Sequence, residues 1–315
     1  MLLIGIDEAG YGPLLGPLCH GYSAIRCPDS DEPPDLWKTL RPAVTRHGKK
    51  KGVVVDDSKK VYTGGGLELL ARGVAAFLHC EAEHAPETPL YERLLPAADR
   101  ARLEEDDWSR SADCGMRISD CGLDECLAKL RAALQEKEVC VAAVGARALS
   151  ARHFNTSLAA SSNKADVNWT TIAEQLVALT ALAREGENIH AVIDRQGGRK
   201  FYNGQLTALF PGAMAWIEKE TPNESVYKLD WEGRTIRVVF LVEAETHVFP
   251  VALSSMCAKL ARELCMARLN AYFRTHAPEL RPTAGYYGDA GRFLRETREL
   301  RQKLAIEDHV FVRAK

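Results

Sequence analysis

Short apolar runs that stop abruptly at acids recur along this chain. Leu2, Leu3, Ile4, Gly5 and Ile6 lead into Asp7 and Glu8, and Gly10, Gly12 and Pro13 follow at once. A run of that length, closed by glycine and proline, predicts a buried strand ending in a sharp turn. Residues 53–55 repeat the pattern into Asp56, Asp57, Ser58, Lys59 and Lys60, and residues 189–193 repeat it into Asp194, with Gly197 and Gly198 beyond. Residues 16–26, 139–144, 212–218 and 235–242 predict further strands. Apolar positions recur at helical spacing through Leu67, Leu70, Val74 and Leu78, over 123–134, and through Trp169, Ile172, Leu176 and Leu179, where Gly186 is the expected stop. They do so again over 248–273 through Met256, Leu260 and Leu264, and over the charged stretch 294–304. Strands interleaved with helices predict an α/β fold. Residues 81–120 lack periodicity and read as an irregular inserted subdomain. Residues 276–315 read as a helical C-terminal region, so 1–315 is expected to be one domain.

The acids carry the candidate chemistry. Open sheets bind ligands beyond the carboxyl ends of their strands, which is where Asp7 and Glu8 stand. Adjacent acids repel unless they are exposed or a cation neutralises them, and hard divalent metals prefer such oxygen ligands. Neighbouring strand residues point to opposite faces, so Asp7 and Glu8 reach one site only if the strand ends or bends between them. Asp194 closes a second strand, and Glu245 stands just ahead of a helix. Four carboxylates meeting around two divalent ions about 3.5–4 Å apart form a phosphodiester-hydrolysing site, and the spacing permits that convergence. For each acid the plain alternative is a polar strand end. Ser58 and the lysines after it suit a phosphate group, or a simple strand-to-helix turn.

Composition narrows the classes. The net charge of −2 over 315 residues gives no global field toward nucleic acid or membrane, so any such contact needs a local basic patch. The run 47–51 is one patch. Arg292, Arg295, Arg298 and Arg301 form another, in which Glu296 and Glu299 stand four residues after Arg292 and Arg295. No apolar run approaches membrane-spanning length, no charged leader precedes residue 2, and nine cysteines occur without a C-x-x-C pair. The expectation is a cytoplasmic protein with reduced thiols and no membrane partner. Zinc binding by Cys114, Cys121 and Cys126 with His79 and His84 is the weaker reading, because the spacing matches no common finger. His190 reads as a packed core residue.

Ile4-Gly5-Ile6-Asp7-Glu8-Ala9-Gly10-Tyr11-Gly12-Pro13 resembles the opening motif of the ribonuclease HII and HIII family, and Asp57-Ser58-Lys59-Lys60 resembles its second motif. Asp194 ends its strand as the family's third acid does. Residues 251–259 resemble the small-residue helix, which selects Glu245 as the fourth acid, and Gly285-Tyr286 resembles the late Gly-Tyr that packs on a sugar. The resemblance implies a ribonuclease H-like fold, a mixed central sheet flanked by helices. It implies a metal-dependent endoribonuclease that hydrolyses RNA in RNA–DNA hybrids, or ribonucleotides embedded in duplex DNA, with two Mg2+ or Mn2+ ions held by Asp7, Glu8, Asp194 and Glu245. Gly10, Tyr11 and Gly12 would read the 2′-hydroxyl, Ser58 and Lys59 would hold phosphate, and Tyr286 would pack on the sugar. Tyr11 stands where the family has Arg or Lys, and residues 81–120 exceed the usual core. Two alternatives stay open: a non-catalytic relative that binds nucleic acid or a protein, and a nuclease of the same fold with another substrate, such as branched DNA.

Overall fold

The computed structural model describes the chain apart from residues 47–51, 83, 84, 86, 111–115, 162, 198 and 315. The basic run 47–51, His84, Cys114 and Gly198 therefore lie outside the described residues. The main sheet contains β1 (Leu2–Ala9), β2 (Leu18–Arg26), β5 (Cys140–Leu149), β6 (Ile189–Asp194), β7 (Met214–Glu220), β8 (Glu224–Trp231) and β9 (Arg234–Leu241). β3 (Val44–Thr45) and β4 (Val53–Val54) form a separate parallel pair. The main sheet runs in the order β5-β2-β1-β6-β9-β8-β7. β1, β6 and β9 are mutually parallel and every other neighbouring pair is antiparallel. This is the mixed central sheet that was expected.

Helices cover both faces. The longer ones are α1 (Ser58–Glu81), α2 (Asp124–Glu136), α3 (Ala151–Ala160), α4 (Lys164–Thr180), α5 (Phe249–His276) and α6 (Tyr287–Glu296). Odd positions of β1 face α5 and even ones face α4, as the pleat requires. Thus Leu3 joins a core with Leu253, Met256 and Val74, whereas Leu2, Ile4 and Ile6 pack with Ile172, Leu176 and Phe240. The small residues of α5 let its backbone rest on the sheet. A methyl group at Gly5 would run into the Pro250 carbonyl, and one at Gly21 into the Ser254 carbonyl. Two buried hydroxyls lock that contact: Ser254 Oγ donates to the Gly5 carbonyl at 2.9 Å, and Ser23 Oγ to the Pro250 carbonyl at 2.8 Å.

Several boundaries differ from expectation. α4 stops at Thr180 rather than at Gly186, which instead turns the chain into β6 with φ +71°. The stretch 294–304 is divided at Thr297 between α6 and a short helix, Arg298–Lys303. Arg292 donates to Glu296 and to Asp289 at 2.6 Å each, so half of the arginine stripe's first turn is internal ion pairing. Residues 81–120 contain the short helices Leu90–Leu94, Ala97–Leu103 and Asp107–Arg110, and they seal the outer edge of β5. There Asp99 Oδ2 accepts from the Ala148 amide at 3.0 Å and pairs with Arg147 at 2.7 Å. His190 is half-buried and lines a cavity of about 360 Å³ with Trp37, Arg237 and His247. Burial and the Arg237 charge push its imidazole down to about 4. Among the described residues no helix is long and apolar enough to cross a membrane.

Candidate active site

Strand register brings the acids to one rim. β1 and β6 run parallel and stay paired as far as Ile6 with Ile193, so Asp7 and Asp194 are the next residue on each strand. β9 lies beside β6, with Asp194 opposite Leu241, and the chain then turns through the short 3-10 helix Ala244–Thr246 that holds Glu245. Asp194 Oδ1 accepts from the Ala244 amide at 2.9 Å, which ties that turn to the end of β6.

β1 does not end between Asp7 and Glu8, because it pairs with β2 through Ala9. The two side chains therefore take opposite faces, at a point where the β6 side of β1 is no longer covered. Asp7 is met by the Ser255 hydroxyl from α5, and Glu8 by the Asn168 side chain from α4. The electrostatics nevertheless join all four acids. Burial, then Asp194, Glu8 and Glu245, hold the Asp7 carboxyl well above its usual range. Burial and the same two neighbours, Asp194 and Glu245, push Glu8 up to about 8, with Lys59 opposing. Asp194 is pushed up to about 6, chiefly by burial, while the Ala244 amide and Lys59 oppose it. Lys59 is exposed at the head of α1, where Asp57 caps the helix by accepting from the Lys59 amide at 2.8 Å. Ser58 is buried beside it and accepts from Ser255 Oγ at 3.0 Å. Asp56 is buried and paired at 2.9 Å with Arg46, which also donates to the Thr246 carbonyl at 2.8 Å.

The chemistry of these donors suits divalent ions. All the groups are hard carboxylate oxygens, and one oxygen on each of Glu8 and Glu245 is buried without a hydrogen-bond partner. Among the described residues, however, no three His, Cys, Asp or Glu side chains are grouped closely enough to hold an ion as they stand. That statement also covers Cys121 and Cys126, whose thiols instead donate to the Arg117 and Leu123 carbonyls.

The glycine turn is built from behind. Gly10 has φ +86°, and an added Cβ would sit 2.7 Å from the Arg262 side chain, so both conformation and space require glycine there. Arg262 is 2 % exposed and donates to the Ala284 carbonyl at 2.8 Å. Its guanidinium lies 5.5 Å from the centre of the Tyr286 ring, which is half exposed. Leu14 and Leu15 amides donate to the Gly285 carbonyl, so the Gly285-Tyr286 loop is bound to the turn. Tyr11 is exposed, and its phenol is pushed up by burial and by the Glu8 charge, with Arg199 opposing.

Three residues at this rim have no signal in the sequence patterns, Asn168, Arg262 and His20, and Ser255 shows only as one member of the small-residue run 251–259. Burial pushes the His20 imidazole down to about 4, so it is neutral. Its Nε2–H donates to Asn168 Oδ1 at 2.5 Å, which turns the Asn168 amide toward Glu8. Each of these residues is polar and buried.

No protein-family model and no curated protein matches the chain. Among solved structures, it is similar to a chain of the complex between PCNA and ribonuclease HII from Archaeoglobus fulgidus, at 16 % identity over 98 % of this chain and 91 % of that one, with a TM-score of 0.43. It is also similar to ribonuclease H2 from Pyrococcus horikoshii OT3, at 13 % identity over 99 % and 92 % of the two chains and a TM-score of 0.42. Ribonuclease HIII in complex with Mn2+, described as Bst-RNase HIII, is similar at 14 % identity over 99 % and 66 %, with a TM-score of 0.40. Likeness at these scores adds nothing to what the sheet, its register and the four acids carry by themselves.

Proposed function

We propose that this chain is a metal-dependent endoribonuclease that hydrolyses the RNA strand of RNA–DNA hybrids, or ribonucleotides embedded in duplex DNA. The observation that carries the reading is the common electrostatic neighbourhood of Asp7, Glu8, Asp194 and Glu245, three of them with carboxyl groups pushed upward by burial and by one another. Buried carboxylates that raise each other's pKa are held at a cost that a cation removes. The order of the motifs supports the same reading.

In this reading Asp7, Glu8, Asp194 and Glu245 hold Mg2+ or Mn2+, which when bound supplies Lewis-acid charge at the scissile phosphate. Lys59, exposed and already acting on Glu8 and Asp194, faces the phosphate, and Ser58 beside it, held by the Ser255 hydroxyl from which it accepts, has its own hydroxyl proton to donate to that group. Tyr11 and Gly12 leave their backbone open toward the 2′-hydroxyl, and Tyr286 offers an exposed ring to the sugar. Hydrolysis then leaves 5′-phosphate and 3′-hydroxyl ends. A second reading, a non-catalytic nucleic-acid binder, is favoured by the opposed faces of Asp7 and Glu8 and by Tyr11 in place of a cation.

Cleavage of a labelled RNA–DNA hybrid with Mn2+ tests both. The wild-type protein is expected to cut and Asp7→Asn to lose cutting while keeping its fold. Wild-type protein that binds the hybrid in EDTA, yet leaves it intact with Mg2+ and with Mn2+, selects the second reading.

A further inference from the structure

Arg313 lies 303 residues from Gly10 in the chain, yet its side chain ends at the glycine turn. Nη2 donates to the Gly10 carbonyl and to the Pro13 carbonyl, and the Arg313 amide donates to the Leu14 carbonyl at 2.9 Å. One residue thus holds three carbonyls of the stretch 10–14. The guanidinium is 2 % exposed and stands 5.2 Å from the centre of the Phe154 ring. Among the described residues it has no carboxylate partner, and its Nε and Nη1 have no hydrogen-bond partner. The segment that brings it in is itself tied down. Asn155 Nδ2 donates to the His309 and Val312 carbonyls at 2.6 and 2.8 Å, and Asn155 Oδ1 accepts from the Ala314 amide at 2.7 Å.

Burying a guanidinium without a counter-charge is expensive, and a lone core packing role would be served at lower cost by an apolar side chain. Both carbonyls are held by the one Nη2, whose two N–H bonds lie fixed in the guanidinium plane, whereas the ammonium of lysine turns freely about its shorter stem. The two carbonyls it holds flank Tyr11 and Gly12, the exposed part of the turn. We propose that Arg313 is a positioning residue, which fixes both ends of the 10–13 turn so that the Tyr11–Gly12 backbone meets a substrate ribose in one geometry and thereby separates RNA from DNA. This rests on the reading of the rim as a ribonuclease site.

Arg313→Lys keeps the charge and most of the bulk but loses the fixed plane of the two N–H bonds and some of the reach, and Arg313→Ala removes charge and bulk alike. Hydrogen exchange at the Leu14 and Leu15 amides, which close the turn by donating to the Gly285 carbonyl, is expected to accelerate in both variants while β6 keeps its protection. With hybrid substrate, KM is expected to rise about tenfold in Arg313→Lys with kcat within about twofold, the pattern of lost binding rather than lost chemistry. The preference for hybrid over the matching all-DNA duplex should fall by the same factor. Unchanged exchange at Leu14 and Leu15 in Arg313→Lys overturns the proposal, and so does an unchanged KM. A kcat loss that merely tracks a lower melting temperature also overturns it, since that is a structural role. If the wild-type protein neither binds nor cuts the hybrid, the ribonuclease reading fails by itself, and the exchange result still decides whether Arg313 sets the turn.

Discussion

Replacing Glu8 by Gln should stabilise the protein when no cation is present. Glu8 titrates at about 8 in the folded chain against 4.5 for an ordinary glutamate. Between those values the folded state holds more protons than the unfolded state, so stability falls as pH rises through that window and stops falling above about 8. At pH 7 the penalty is about 3 kcal/mol at most, from about 1.4 kcal/mol per unit of pKa. Glutamine is isosteric, keeps an oxygen for Asn168 and carries no charge. For 315 residues the unfolding entropy is about 0.7 kcal/mol per kelvin, so the pH 7 penalty corresponds to roughly 4 °C. The assay is thermal denaturation of both proteins in EDTA from pH 5 to pH 9. The Glu8→Gln curve should lie above wild type at pH 8 and meet it near pH 5. Millimolar Mg2+ or Mn2+ should raise the wild-type midpoint more than the variant's, because binding to the folded state alone stabilises it. Two melting curves that coincide at every pH in EDTA would falsify the idea that these carboxylates strain one another.

Asn168→Ala leaves His20 Nε2 and Glu8 without the amide that joins them, and should cost about 1–3 kcal/mol, read as a lower midpoint in denaturant; an unchanged midpoint removes Asn168 from the site. Gly66 interrupts α1 at φ +69° and ψ −161°, a region open essentially to glycine alone, and its Cβ position is empty space. Gly66→Ala should therefore cost about 1–3 kcal/mol through backbone strain alone, and a variant as stable as wild type would show that the break in α1 is not required.

Much of the fold can be read from the sequence where burial is two-sided. β6 is a run of apolar residues bounded by polar ones, and its limits, Ile189–Asp194, coincide with those of the apolar run and its closing acid. β8 is marked only by alternation, Tyr227 and Leu229 inward against Lys228 and Asp230 outward, and that half-buried strand pattern spans too few residues to stand out from a polar connection. β5 continues to Leu149 through Gly145, Ala146, Arg147 and Ala148, residues of low strand propensity whose pairing with β2 overrides their local preference. At the rim the acids announce themselves, since carboxylates at strand ends are unusual. Asn168 and Ser255 do not, because a polar residue within a helix is ordinary until the strand beneath it is known. The opposed faces of Asp7 and Glu8 follow from the strand's continuation to Ala9, which the glycines at 10 and 12 concealed by suggesting an earlier end.

At Gly5 and Gly21 the backbone of α5 touches the sheet with no layer of side chains between them, so that helix and the two strands beneath it behave as one anvil. Nothing on that flank has room to yield. The block reaches across to the first turn of α1, where Ser58 accepts from Ser255 Oγ, and ends before Gly64 and Gly66, whose Cα atoms border open space. Any give around the rim therefore sits further along α1, in that glycine stretch, and the strand-end acids stay with the sheet.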